Sequence, residues 1–281
     1  MFDVRDSSEK SSCLIGNARQ RGSDGGVGDL NTVYNNGFSK AIRQSTLNYK
    51  AMPLPPRPSR DLKGKVAIVT GAGAAGDGLG NGRAIAILLA EDGASVVCVD
   101  RELELADTTA AMIREEGKGN AIAVQADVTS EKDVESVIGT ALRSFNRVDI
   151  LVNNVGIIGP KGDATVTEAA EWAKAFEINV TSMMLMAKYA VKEMAKNEPE
   201  GGIRGSIVNL GSVAGLFGGT PSLIYPTSKG AVVNMTRAMA ANHAKDGIRV
   251  NCVCPGKLLH AESRRTFLLK LCRNAVYTYD V

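Results

Sequence analysis

From Lys65 onward, short runs of β-branched and other apolar residues alternate with longer stretches whose apolar positions recur every three or four residues. The short runs are "KVAIVT" (65–70), "ASVVCVD" (94–100), "NAIAVQADV" (120–128), "VDILVNN" (148–154), "GSIVNLGS" (205–212) and "IRVNCVCPG" (248–256). Each is almost continuously apolar, the pattern of strands buried on both faces. The intervening stretches predict helices over 82–93 and 102–117, both stopped by glycine, and over 130–145, opened by a Ser130 cap with Asp133 three residues on. Two longer helices are predicted over Glu168–Asn197 and Pro226–Asp246. Parallel strands joined by right-handed helical crossovers give a single α/β domain, a doubly wound parallel sheet of about six strands, Rossmann-type, over 61–256.

The joint between the first strand and first helix reads "TGAGAAGDGLGNGRA" (Thr70–Ala84), with six glycines in fifteen residues. In that position glycine lets a phosphate approach the backbone, and the helix amino end offers unpaired N–H groups and partial positive charge. Gly71, Gly73, Gly80 and Gly82 are assigned to the phosphate contacts. Gly76 and Gly78 are alternative contacts. Asp100 ends the second strand eighteen residues past Gly82, where a carboxylate would accept hydrogen bonds from an adenosine ribose. A carboxylate there repels a 2′-phosphate, so NAD is favoured; the adjacent Arg101 keeps NADP open.

The segment from about Leu62 to Gly256 resembles the short-chain dehydrogenase/reductase family, classical type. The motifs that carry the resemblance are the glycine loop, in which Ala74–Leu79 is an insertion relative to the family's usual spacing, "NNVG" (Asn153–Gly156), Asn179-Val180, Gly211-Ser212, "YPTSK" (Tyr225–Lys229) and Pro255-Gly256. Ser212 and Tyr225 are thirteen residues apart, as the family usually has them. The resemblance implies a catalytic set of Asn179, Ser212, Tyr225 and Lys229. It implies cofactor contacts from Asp127 and Val128 beside the adenine, and from Asn153, Gly156, Tyr225, Lys229, Pro255 and Gly256. Tyr225 and Lys229 at i and i+4 share one helix face. Tyrosine is ordinarily a poor base at neutral pH, and an ammonium beside it stabilises the phenolate. Tyr225 would then move the hydroxyl proton, Ser212 would hold the substrate oxygen, Lys229 would hold the nicotinamide ribose, and Asn179 would bind a relay water. The implied activity interconverts a secondary alcohol and a ketone with NAD or NADP. The alternative is a dinucleotide-binding scaffold or regulator of little or no activity, since the substrate lid and a last strand are not evident.

Composition narrows the rest. A net charge of +3 over 281 residues is too dilute for a nucleic-acid partner, and no apolar run is long enough for a membrane span. Five cysteines without framework spacing predict free thiols, and two histidines, His243 and His260, predict no metal site. Residues 1–60, rich in turn formers and proline, predict a disordered extension without a secretory core. The cytoplasm is expected, with a mitochondrial location as the alternative. The tail after Gly256 lacks the family's nearby threonine. Synonymous codons allow a splice donor at Gly256-Lys257 and an acceptor within Arg273, which predicts a retained intron, with a divergent, shortened carboxyl terminus as the alternative. The two long helices predict a homo-oligomer, a dimer at most for this chain, acting on a small-molecule alcohol or ketone.

Overall fold

The computed structural model describes residues 59–74, 78–117 and 119–256. The expectations for the amino-terminal extension, the tail, Gly76, His260 and two of the cysteines, Cys13 and Cys272, lie outside those residues. Six parallel strands form one sheet: β1 (Val66–Thr70), β2 (Ser95–Asp100), β3 (Ala121–Gln125), β4 (Ile150–Asn153), β5 (Gly205–Leu210) and β6 (Ile248–Val253), in the order β3-β2-β1-β4-β5-β6. The helices are α1 (Asn81–Glu91), α2 (Leu103–Glu115), α3 (Glu131–Phe145), α4 (Ala169–Phe176), α5 (Ser182–Met194), the short α6 (Ala214–Phe217) and α7 (Ile224–His243).

Strand alternation divides the core into two layers. Ile68, Val97, Val99, Leu151, Ile207 and Val250 face α3 and α5, with Met239 and Ala240 of α7 packed on the same layer. Ala67, Val69, Val96, Cys98 and Val152 face the alanine-rich sides of α1 and α2. The small residues Ala86, Ala90, Ala106 and Ala110 let these two helices sit close to the strands. Sequence signals mark the helix ends. The Ser130 hydroxyl accepts the Asp133 N–H at 3.3 Å at the start of α3, and Asn146 stops that helix in a left-handed conformation at φ 63°.

Two expected boundaries change. The helix read as unbroken over Glu168–Asn197 is α4 and α5 joined by a π-helical segment, Glu177–Thr181. The helix read from Pro226 starts two residues earlier, at Ile224, and its end tightens to a 3₁₀ turn over Ala244–Asp246. Pro226 therefore lies in the first turn, where a missing N–H costs no helical bond. A short helix, α6, was not expected. No helix among the described residues is long and apolar enough to cross a membrane.

Leu151 is fully buried at the centre of β4. Leu151→Ala is expected to cost about 2–5 kcal/mol of stability, read from the midpoint of urea unfolding; a loss well under 1 kcal/mol would contradict the packing described.

Candidate active site

The order of the strands reverses between β1 and β4, so the crossovers leave a crevice at their carboxyl ends. A cavity of about 700 Å³ fills it, lined by the glycine loop, Asn154, Gly156, Ser212, Tyr225, Lys229, Pro255 and Gly256. A second cavity of about 440 Å³ shares Gly71, Asn154 and Gly156 with it and extends over Asp100, Asp127 and Val128. The two form one elongated cleft, with the glycine loop at its middle and Ser212, Tyr225 and Lys229 at one end.

The glycine loop is packed too closely for side chains. A β-carbon on residue 82 would lie 1.9 Å from the Gly71 carbonyl oxygen, and one on residue 73 would lie 2.7 Å from Asp100 Oδ2. Gly71 itself has φ 61°, a left-handed conformation. Behind the loop, Arg83 is buried and ties Ala74 to Gly78. Its guanidinium donates to Ala74 O at 3.1 Å, to Gly78 O at 2.9 Å and to Thr109 Oγ1 at 3.1 Å. Asn154 closes the other side, its amide donating to Thr70 O at 3.1 Å and Gly71 O at 3.0 Å. Helix α1 opens at this point with Gly80 as its cap and no side-chain capping bond. Its first-turn N–H groups are thus not taken by a side-chain cap.

Asp100 stands where an adenosine ribose is expected. Its carboxylate accepts the Gly73 N–H at 2.9 Å and the Glu102 N–H at 3.2 Å, which leaves acceptor capacity for further donors. Arg101 turns to Glu102, 3.4 Å away. Asp127 takes two hydrogen bonds from Thr129, at 2.7 and 2.9 Å, which hold its carboxyl below the usual range. These features fit a dinucleotide: a bare backbone cradle at a helix amino end, and a carboxylate at the tip of β2.

At the other end of the cleft, Ser212 follows β5 and its hydroxyl accepts the Ala214 N–H at 3.1 Å. Tyr225 lies in the first turn of α7, and Lys229 one turn later. The Lys229 ammonium is buried, donates to Leu210 O at 2.7 Å and lies beside Gly156, where a β-carbon would come within 3.0 Å of Nζ. Burial lowers Lys229 to about 8. Asn179 is fully buried in the π segment. Its Oδ1 accepts the Ile157 N–H at 2.7 Å, and its amide donates to Ile157 O and Ser228 Oγ, each at 2.9 Å. It clamps the strand-to-helix connection that forms one wall of the cleft.

Asn153 lines neither cavity: it is buried, and its amide donates to Asn209 Oδ1 at 2.9 Å and Met183 O at 3.3 Å. It is the last residue of β4, in register with Asn209 of β5, so its side chain ties strand to strand. The next residue, Asn154, is past the strand end and turns into the cleft instead. Arg83 and Thr109 were also not anticipated. A buried arginine braced by carbonyls has no sequence signature, whereas Asn154 was visible as the second asparagine of "NNVG".

Comparison with known proteins follows the same lines. The family model for short chain dehydrogenases matches residues 65–266. An uncharacterized oxidoreductase of Thermotoga maritima is 39% identical over 196 residues, covering 70% of this chain and 72% of that one. The 2-(S)-hydroxypropyl-CoM dehydrogenase 3 of Xanthobacter autotrophicus is 40% identical over 200 residues, covering 70% and 73%. The crystal structure of NAD+-bound xylitol dehydrogenase superposes with a TM-score of 0.63 at 35% identity, covering 69% of this chain and 71% of that one. With a doubly wound sheet, a bare glycine cradle at its switch point and these relatives, the chain belongs to the short-chain dehydrogenase family of NAD(P)-dependent oxidoreductases.

Proposed function

We propose that this chain interconverts a secondary alcohol and a ketone, with NAD preferred over NADP and with Tyr225 as the proton-transferring residue. The observation that carries this reading is the convergence of Ser212, Tyr225 and Lys229 on one end of the cleft whose middle is the glycine cradle. Gly71, Gly73, Gly80 and Gly82 with the start of α1 would hold the pyrophosphate, Asp100 the adenosine ribose and Lys229 the nicotinamide ribose. Bound NAD(P) supplies the hydride acceptor or donor.

The residues of this chain do the rest. Ser212 Oγ hydrogen-bonds the substrate oxygen and stabilises charge that develops on it. Tyr225 takes the hydroxyl proton in oxidation and returns it to the carbonyl oxygen in reduction. The Lys229 ammonium stabilises the phenolate form of that partner. Asn179 keeps the Ile157 backbone fixed, so that the wall between Lys229 and the substrate end does not shift. The preference for NAD is supported by the Asp100 carboxylate and by Arg101, which pairs with Glu102.

Three tests follow. Tyr225→Phe keeps the ring and removes the proton carrier, so ketone reduction is expected to fall by at least about 10²–10⁴-fold with NADH binding retained; near-normal turnover would remove Tyr225 from the chemistry. If the wild type binds NADH yet reduces no ketone at all, the dinucleotide-binding alternative stands.

Asp100→Ala is expected to weaken NAD binding by one or two charge-assisted hydrogen bonds, each worth about 1.5–3 kcal/mol, and to improve NADP binding. Calorimetric titration of both cofactors checks this; a wild type that already prefers NADP would overturn the assignment.

Lys229 gives a pH signature. Its folded value, about 8, lies below the ordinary 10.5. Between these values the unfolded lysine keeps its proton while the folded one has released it. The contribution of Lys229 to stability therefore rises with pH across that window and is flat below it, by up to about 1.4 kcal/mol per pH unit. Urea unfolding of the cofactor-free protein should show wild type gaining on Lys229→Met from pH 8 to 10; a constant difference would contradict the burial of this ammonium.

A further inference from the structure

Cys252 and Cys254 stand two residues apart on and just beyond β6, so both side chains leave the same face of the chain. Their sulfurs are 3.8 Å apart, and both thiols are free. Both press on Gly211, where a β-carbon would lie 2.7 Å from Cys252 Sγ and 2.9 Å from Cys254 Sγ. The next residue is Ser212. Main-chain bonds tie the two segments together: Gly211 N–H donates to Val253 O at 2.8 Å, and Val213 N–H donates to Pro255 O at 3.1 Å. The residues on either side of Ser212 thus hang from carbonyls next to the cysteines.

The two thiols are unequal. The contact from Cys252 and the Ser212 N–H, with the Lys229 and Arg237 charges, hold Cys254 below the ordinary thiol range. The same S···S contact and burial push Cys252 above it. Cys254 is thus the readier thiolate of the two, while Cys252 is the more exposed. Cys98, pushed up to about 12 by burial, is inert by comparison.

We propose that Cys252 and Cys254 are an oxidisable dithiol that a hydroperoxide converts to an intrachain disulfide, and that this disulfide weakens cofactor binding in the adjoining cleft. The Cys254 thiolate attacks the peroxide: an S–O bond forms, the O–O bond breaks, and the departing alkoxide or hydroxide takes up a proton. Cys252 then attacks the resulting sulfenic acid; the S–S bond forms, the S–O bond breaks, and hydroxide leaves as water with the Cys252 proton. Two thiols lose two electrons to one peroxide.

Geometry links this step to the site. Residues two apart in an extended chain have Cα atoms about 6.6–6.8 Å apart, the upper end of what a disulfide spans. The sulfurs must close from 3.8 Å to about 2.05 Å, so the chain has to bend there. Bending moves the Val253 and Pro255 carbonyls, and with them Ser212 and the Pro255-Gly256 wall of the cleft. A bridge at the limit of its span is readily reduced, so the change is reversible.

The test uses the full chain, reduced, then treated with hydrogen peroxide, alkylated with iodoacetamide and digested with trypsin. The peptide Val250–Lys257 carries both cysteines. It should appear unalkylated and two hydrogens lighter than its dithiol form, NADH affinity should fall by about tenfold or more, and dithiothreitol should restore both. Cys254→Ser should keep its NADH affinity under peroxide, and Cys252→Ser should stop at a sulfenic acid that dimedone traps. Both cysteines remaining fully alkylatable after peroxide would overturn the proposal, as would a disulfide that leaves NADH affinity unchanged. A reduced chain that binds no NADH would instead count against the cofactor reading of the cleft, while the peptide mass would still decide the thiol chemistry.

Discussion

The Gly71 carbonyl oxygen occupies the space where residue 82 would carry a β-carbon, and that close approach fixes the geometry of everything around it. It draws the start of α1 against the end of β1, so the helix amino end opens at the switch point of the sheet rather than over its face. The contact is possible only because residue 82 is glycine, and it is held from outside. Asn154 grips the Gly71 carbonyl from the β4 side, Asp100 grips the Gly73 N–H from β2, and Arg83 spans Ala74 and Gly78 from below. Asn154 just past β4, Asp100 on β2 and Arg83 on α1 thus contribute one polar clamp each to the loop.

The same logic, backbone fixed by polar side chains, governs the other end of the cleft. Asn179 spends its amide on Ile157 and Ser228, and Lys229 spends one of its donors on Leu210 O. These bonds set the position of walls, while Tyr225 stays available on the first turn of α7. The π segment around Asn179 is the local departure from regular helix, and such segments concentrate at functional positions. Further along the same wall, the cysteines of β6 sit behind Ser212, so the chemistry of that strand is mechanically connected to the site.

Much of this was legible in the sequence because it rests on period and spacing. Near-continuous apolar runs separated by helical ones admit few arrangements other than a covered parallel sheet, and glycine stops at Gly93 and Gly117 bounded the helices closely. Ser212, Tyr225 and Lys229 could be named because the motifs that hold them resemble those of a known family. What could not be read depends on three-dimensional company. The π segment arises from backbone bonding that the residues "EINVT" do not announce. Choosing between Asn153 and Asn154 needed the last residue of β4, since one position along a strand reverses the direction of a side chain. The partners of Arg83 are carbonyls, which carry no sequence identity. Cysteine spacing suggested only free thiols; that two of them converge on Gly211 followed from the strand register.

Hydride tracing with NADH carrying deuterium at the transferable position tests the central claim most directly. Incubated with the reduced chain and a panel of ketones, the label should appear on the carbinol carbon of at least one alcohol product, in proportion to the NADH consumed. Tight binding of the labelled NADH with no deuterium on any product would contradict the account and leave a protein that holds the cofactor without using it.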